Sequence, residues 1–301
     1  MQDFDFEQWA SEEIIRLQSG INLRRPSDYQ SLFKYISLNS ETSWGHLRRT
    51  VHKSELAGSS ALTLNDPFEL SPYVFDDLTP NTIAESVRHV DNARWLSDQE
   101  AKPLKEVFPD PAPYRKQAMD YLDMVATRYR IIAFCERVDS SLLWAHYANS
   151  YQGACLHFLA KGFRWHRHNT LGKVSYSKHR PAYPLSLALA LSTPASGPPI
   201  PRNATPLRRA ESNQILFFTK AEDWAYEAES RIVYDPKDAD AVKFKQDSLV
   251  SIITGPRFDE DNLRRLKQTL KGSPYEQIPI RKARLSKTTF TVEVDESAIG
   301  S

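Results

Sequence analysis

The chain has 301 residues, of which 41% are hydrophobic and 26% charged, and its formal net charge is +1. This composition is that of an ordinary soluble protein, and the near-zero charge excludes a global attraction to nucleic acid or to a membrane surface. Any site for a polyanion must therefore be local. An acidic amino terminus and the lack of a long apolar run predict a cytoplasmic protein without membrane association.

The first half of the chain contains helical and β-type patterns. Residues 5–18 predict an amphipathic helix and residues 31–39, SLFKYISLN, a short strand. The segment Asn65-Asp66-Pro67 is a turn signal, because Asx side chains bond back to the backbone and proline presets φ. Two further helices are predicted over 81–107 and 112–128.

The central section predicts a strand, a short helix and two more strands. RIIAFC (130–135) is the first strand, and Asp139 or Ser140 caps the helix that follows. Gly153 is expected to end this helix in a left-handed conformation. ACLHF and KVSY then provide the next strands. Together these patterns predict an α+β fold with a mixed, largely antiparallel central sheet flanked by helices.

A proline-rich stretch over 180–209 predicts a flexible insertion with a short helical patch at LSLALAL. A helix over 211–220 is expected next, and then further strands and a helix capped by Asp259. The length favours one main domain over two independent ones. We expect a helical extension over 1–29, a domain over 30–294 and a tail over 295–301.

Cysteine and histidine spacing gives no metal site. Cys135 and Cys155 each fall in a predicted strand outside any CxxC spacing, so buried free thiols are expected. His166 and His168 share one side of a predicted strand, but no third ligand follows at a recognised spacing. We therefore predict no bound metal.

The stretch WAYEAESRIVY places Glu227, Glu229 and Arg231 at alternate positions. Alternate side chains of a strand share a face, so two carboxylates and a guanidinium are expected within reach of one another. The row is either a functional site or an ion-pair lattice, and both readings stay open. An ion-pair lattice at the surface would contribute little to stability.

Trp144, His146 and Tyr147 form a second candidate site, because WAHY lies on a short helix between two strands. His146 could act as a general acid or base or bind phosphate. Trp144 and Tyr147 lie three residues apart on one helical face, which equally fits core packing. Asn65 could bring a further polar group to the same cleft.

Several separate blocks of the chain resemble the bacterial domain-of-unknown-function family 2971 over residues 30–294. Ser230 departs from the pattern of that family, which has a bulky residue there, and the proline-rich insertion has no counterpart in it. The resembling blocks are LFKYISLN, LNDPFE, FCERVDSSLLWAHYANSYQGACLHF, KVSY, FFTKAEDWAYEAESRIV and LVSIITGP.

The layout of these blocks is also similar to that of mono-ADP-ribosyltransferases. The resemblance implies that Lys34 holds a nicotinamide nucleotide such as NAD and that Glu229 stabilises the oxocarbenium-like transition state. Glu227 would then orient or deprotonate the acceptor, and Tyr35 or Tyr226 would stack on nicotinamide. The Ser-Thr-Ser strand of those transferases is absent, and Lys34 replaces their arginine or histidine.

The resemblance therefore implies an enzyme that acts on a nucleotide, as a transferase or glycohydrolase, and a toxin or phage-defence setting would suit it. The alternative is a non-catalytic module that binds protein or nucleic acid, the latter through the basic region Arg257–Lys287. A metal-independent nuclease is a weaker alternative.

Overall fold

The structure is a computed structural model, and it describes residues 31–91, 111–163, 169–192 and 213–298. Several predictions lie outside these residues: the amino-terminal helix, the pair His166 and His168, and most of the proline-rich stretch. No helix among the described residues is long and apolar enough to cross a membrane.

The strands and helices are numbered here in chain order. The strands are β1 Ser31–Ile36, β2 Glu55–Leu56, β3 Ser59–Ser60, β4 Tyr73–Phe75, β5 Arg130–Cys135, β6 Ala154–Leu159, β7 Thr170–Lys173, β8 Ser175–Ser177, β9 Ala182–Pro184, β10 Thr219–Ala221, β11 Glu229–Tyr234, β12 Val242–Lys243, β13 Leu249–Thr254, β14 Ile280–Leu285 and β15 Val292–Ala298. The helices are α1 Glu41–Lys53, α2 Pro80–Asp91, α3 Ala112–Arg128, α4 Ser141–Tyr147, α5 Leu185–Leu191, α6 Gln214–Phe217 and α7 Glu260–Leu270.

The described residues cluster into two compact units. The first unit takes its residues from Ser60–Tyr129 and Ser175–Glu222, and the second from Leu23–Ser59, Arg130–Val174 and Asp223–Ser301. The expectation of a single domain over 30–294 stays a prediction.

The second unit is built on a large mixed sheet, so the predicted α+β class is confirmed. Its strands lie in the order β15, β14, β13, β6, β1, β5, β11, β7. Each adjacent pair in this order is antiparallel except β13 and β14, which run parallel.

Alternation along these strands gives the sheet two apolar faces. The larger core contains Leu32, Phe134, Leu156 and Ile232 from the strands, and it is covered by apolar residues of α1 and α7. The opposite face carries Cys155 and Ile253 under α4, whose Trp144 is buried there with Ala148. Both cysteines are buried free thiols, as expected.

Side-chain caps explain where the helices of this unit begin. Ser40 accepts a hydrogen bond from the Ser43 backbone N–H at 3.2 Å, and Ser140 accepts one from Leu143 at 3.4 Å. Asp259 accepts one from the Asn262 N–H at 2.7 Å. Each bond satisfies a backbone donor that the first helical turn leaves unpaired. The predicted caps at Ser140 and Asp259 are thereby confirmed.

The end of α4 differs from the prediction at Gly153. The left-handed residues are Asn149, Ser150 and Tyr151, with φ from 46° to 73°, and Gly153 does not have positive φ. Glycine is needed at 153 for another reason: a Cβ there would lie 2.3 Å from the carbonyl oxygen of Ile36. Close backbone approach, and not backbone handedness, selects this glycine.

The first unit corrects two predictions about the second half of the chain. The helical patch LSLALAL is confirmed as α5, but 182–192 is no flexible linker, because α5 is almost wholly buried and packs against α2 and α3. Its leucines are stabilised by burial against these helices. The helix predicted over 211–220 ends after Phe217, where β10 follows.

Candidate functional site

The charged row of WAYEAESRIVY is divided between a turn and a strand. Glu229 and Arg231 lie on one face of β11, as predicted, but Glu227 ends a 3₁₀ turn, Glu222–Glu227. Ala228, between them, has φ of +44° and redirects the chain. The prediction that three charged side chains share one strand face is therefore wrong for Glu227.

Glu229 and Arg231 form a buried bidentate ion pair. Arg231 Nε lies 2.6 Å from Glu229 Oε1 and Arg231 Nη2 lies 2.8 Å from Glu229 Oε2. The two side chains are 5% and 1% exposed. In this geometry both carboxylate oxygens accept hydrogen bonds from one planar guanidinium, which fixes the position of both groups. The ion-pair reading of these residues is the one that the contacts favour.

Glu227 is a second buried carboxylate, 3% exposed, and α4 reaches it. The hydroxyl of Tyr147 donates a hydrogen bond to Glu227 Oε1. Tyr147 ends α4, so the helix that begins at the Ser140 cap positions the donor. The predicted candidates Tyr147 and Glu227 thus meet in the folded chain although 80 residues separate them in sequence.

Four aromatic rings, which we call the ring row, continue from this hydrogen bond. They are Trp224, Tyr226, His146 and Tyr147. The centroids of Trp224 and Tyr226 are 6.1 Å apart, and those of Tyr226 and His146 are 6.2 Å apart. His146 and Tyr147 are separated by 6.4 Å. The ring of His146 is exposed while Tyr226 is half-buried, so the row presents π-faces and one titratable group to solvent.

Trp144 and Tyr35 belong to the apolar core and not to this row. Trp144 is fully buried, its Nε1 donates to the carbonyl of Val138 at 2.8 Å, and its ring meets Tyr35 edge-on at 5.1 Å. The Tyr35 hydroxyl donates to the carbonyl of Arg137 at 3.3 Å. Burial raises the pKa of Tyr35 well above the usual range of tyrosine. These contacts give both side chains a structural role.

Lys34 lies on the opposite face of the sheet from Glu229. Phe33 and Glu229 are both in register with Cys135, so their side chains share a face and that of Lys34 points the other way. Lys34 Nζ donates to the carbonyl of Ala133 at 3.4 Å. Burial lowers the pKa of Lys34, and the Cys135 side chain and the Glu229 carboxylate act in the opposite direction.

Sequence reasoning missed Glu136, which organises the end of β5. Its Oε2 accepts a hydrogen bond from Lys173 Nζ at 2.7 Å and its Oε1 one from Ser230 Oγ at 3.1 Å. Ser230 is fully buried, so this position suits a small side chain whose hydroxyl can donate to Glu136. In the sequence, the only signal at this position was that Ser230 departs from the pattern of the family that the chain resembles.

Asn65 belongs to the first unit and is exposed, whereas the other predicted site residues lie in the second. The turn beside it forms as predicted, since Asp66 Oδ1 accepts from the Phe68 backbone N–H at 2.9 Å. In the same motif, Glu69 pairs with Lys220 at 3.2 Å, with side chains 3% and 4% exposed. Two of the resembling blocks, LNDPFE and FFTKA, therefore meet through a buried ion pair.

A cavity of about 580 Å³ lies between α1 and the end of α7. Its cationic lining, which we call the basic groove, consists of Arg48, Arg49, Lys53 and Lys271, and His52 also lines it. His52 Nε2 lies 3.0 Å from the carbonyl oxygen of Thr269, which joins the two helices. The predicted basic region Arg257–Lys287 supplies only one of these cations. The sequence missed the contribution of α1, whose charges alternate with apolar core positions.

Among the described residues, no group of three or more His, Cys, Asp or Glu side chains is arranged to hold a metal ion. Comparison with protein-family models, with curated proteins and with solved structures finds no match. The resemblances drawn from the sequence therefore stay predictions.

Proposed function

We propose that this chain is an enzyme that hydrolyses the N-glycosidic bond of a nicotinamide nucleotide such as NAD. One observation carries the proposal: a buried carboxylate, Glu227, is held by Tyr147 directly beside the partly exposed ring row. Aromatic faces suit a nucleotide ring, and a fixed carboxylate suits the charge that develops on the ribose.

In the proposed step, the bond between the ribose C1′ and the pyridinium nitrogen breaks, and its electron pair leaves with neutral nicotinamide. Positive charge grows on the ribose, where Glu227 stabilises it more strongly than in the ground state. A water oxygen then bonds to C1′ and its proton passes to His146, the exposed imidazole of the row. The products are nicotinamide, ADP-ribose and one proton.

This assignment exchanges the roles that the resemblance implies for the two glutamates. Both oxygens of Glu229 accept hydrogen bonds from Arg231, so Glu229 has a structural role in the site. Glu227, next to the rings, is the reacting carboxylate. Lys34 is not assigned to nucleotide binding, because its side chain and that of Glu229 lie on opposite faces of the sheet.

The test is nicotinamide release from NAD, followed by chromatography with mass detection. Glu227→Gln keeps the size of the side chain and a hydrogen-bond acceptor for Tyr147 but removes the charge. We expect it to lower the rate by about 100-fold or more, the range of contributions from a positioned catalytic group. Asp223→Asn is the matched control, because Asp223 is an exposed carboxylate of the same turn.

Equal loss of activity in both variants, or no release of nicotinamide by the folded wild-type chain, would overturn the proposal. His146→Ala adds a second readout. Since His146 is the proposed proton acceptor, this variant should lose rate and recover part of it in imidazole buffer.

The basic groove supports a second candidate function, a module that binds nucleic acid. Its cations, three of them contributed by α1, form a local positive surface on a nearly neutral chain. Fluorescence anisotropy with a labelled single-stranded oligonucleotide should show affinity that falls steeply with salt. The double variant Arg48→Gln and Lys53→Gln should weaken binding and flatten the salt dependence, while Lys116→Gln, in the first unit, should change neither.

A further inference from the structure

A separate cavity of about 280 Å³ lies in the first unit, and we call it the Asp66 cavity. Its volume is at the lower end of ligand sites, which begin at about 300 Å³. The wall combines the LNDPFE turn, the segment that follows β8, and β10. Its lining includes Asp66, Phe68, Lys178, Arg180 and Lys220.

Asp66 is one of the residues that line this cavity, and one of its carboxylate oxygens is an unsatisfied acceptor. Its Oδ1 holds the turn by accepting from the Phe68 N–H at 2.9 Å. Its Oδ2 is buried and has no hydrogen-bond partner among the described residues, and the residue is 5% exposed. A buried carboxylate oxygen without a donor costs free energy. A ligand that donates an O–H or N–H group here would remove that cost.

Cations surround the same cavity. The Arg180 guanidinium lies 4.9 Å from the centroid of the exposed Phe68 ring. Lys178 is exposed, and its Nζ is 3.8 Å from Glu222 Oε2, a loose surface contact. Lys220, in contrast, is engaged by Glu69 at 3.2 Å. Arg180 and Lys178 are thus the cations placed to meet an anion from solvent.

We propose that the Asp66 cavity binds a small phosphorylated polyol, such as a sugar phosphate. The phosphate would bind Arg180 and Lys178, since two cations suit a doubly charged anion. A hydroxyl group would donate to Asp66 Oδ2. A hydroxyl fits better than an ammonium donor, because an ammonium would add positive charge beside three cationic side chains. The proposal is independent of NAD hydrolysis, which uses other residues.

The experiment is isothermal titration of the full chain with ribose 5-phosphate, with inorganic phosphate and with ribose as separate probes. Asp66→Asn is the informative variant, because asparagine keeps the turn acceptor but offers N–H donors where Oδ2 was. Arg180→Gln removes the phosphate contact. Arg115→Gln is the matched control, since Arg115 belongs to the same unit and is not part of the cavity lining.

We expect the wild type to bind ribose 5-phosphate about tenfold or more tightly than phosphate, as a hydrogen bond to a charged group predicts. Asp66→Asn should abolish the preference for ribose 5-phosphate while the affinity for phosphate is kept. Arg180→Gln should weaken the binding of both anions. Ribose alone should bind least. Equal affinity for the two anions in the wild type, no binding of either, or an unchanged preference in Asp66→Asn would overturn the proposal.

Discussion

At the scale of single residues, the positive φ of Ala228 separates Glu227 from the bidentate pair of Glu229 and Arg231. The pairing of Glu229 with Arg231 follows from strand periodicity, and the structure brings them together as a bidentate pair. The separate position of Glu227 depends on the positive φ of Ala228. Alanine gives no signal for such a conformation, which glycine or asparagine would give.

The buried pair predicts a large effect on stability. In Glu229→Gln, the buried guanidinium of Arg231 loses its bidentate carboxylate, and breaking such a pair costs about 3 to 5 kcal/mol. Urea unfolding followed by circular dichroism should show this loss. Glu293→Gln, which breaks the exposed contact with Arg284 at 3.1 Å, should leave the free energy of unfolding essentially unchanged. A similar change in the free energy of unfolding in both variants would contradict the claim that Glu229 and Arg231 form a buried ion pair.

Lys34 predicts a pH dependence with a defined sign. Burial lowers its pKa in the folded chain below the ordinary value of 10.5. Between these two pKa values the unfolded chain binds more protons than the folded one, so the contribution of Lys34 to the free energy of unfolding rises with pH. Above 10.5 the contribution is constant.

Lys34→Met tests this sign. The free energy of unfolding of the wild type minus that of Lys34→Met should increase as the pH rises towards 10.5, because methionine has no proton to lose. The buried tyrosines also titrate in alkali, but their effect is common to both chains and cancels in the difference. A difference that stays constant or falls with pH would show that the amine is not desolvated.

At the scale of elements, uninterrupted apolar runs were the reliable signal. RIIAFC, ACLHF and LVSIIT form β5, β6 and β13, each with most positions buried, as strands inside a two-faced sheet require. The leucine-rich run LSLALAL likewise forms α5, although prolines flank it. The prediction failed at the end of α4, because the need for glycine at 153 comes from Ile36, which belongs to a distant strand.

Two glycines provide a matched test of this packing. Gly153→Ala should destabilise the chain, because its Cβ would lie 2.3 Å from a backbone oxygen that cannot rotate away. Gly45→Ala should stabilise it by about 0.5 to 1 kcal/mol, since position 45 lies within α1, nothing is within 4 Å of the added Cβ, and alanine favours helix. Thermal unfolding of both variants measures the change in melting temperature that each substitution causes. A loss of stability in both, or in neither, would contradict these contacts.

At the scale of the whole molecule, the sheet order could not be predicted from one sequence. β1 pairs with β6 across more than 100 residues, with Tyr35 opposite Cys155. Local periodicity carries no information on such partners. The same limit applies to function: the ring row needs α4 and the turn before β11 to meet, and the Asp66 cavity needs LNDPFE to meet β10. Residue types were predictable, but their convergence was not.

Hydrogen–deuterium exchange with and without NAD tests the central claim most directly, because it locates a bound nucleotide without requiring turnover. The account predicts slower exchange over Ser141–Tyr147 and Glu222–Glu227, with no change in α1 and α7, and loss of that protection in Tyr226→Ala. Protection confined to α1 and α7 would place the nucleotide in the basic groove. That result, or no protection at saturating NAD, would contradict nucleotide chemistry at Glu227.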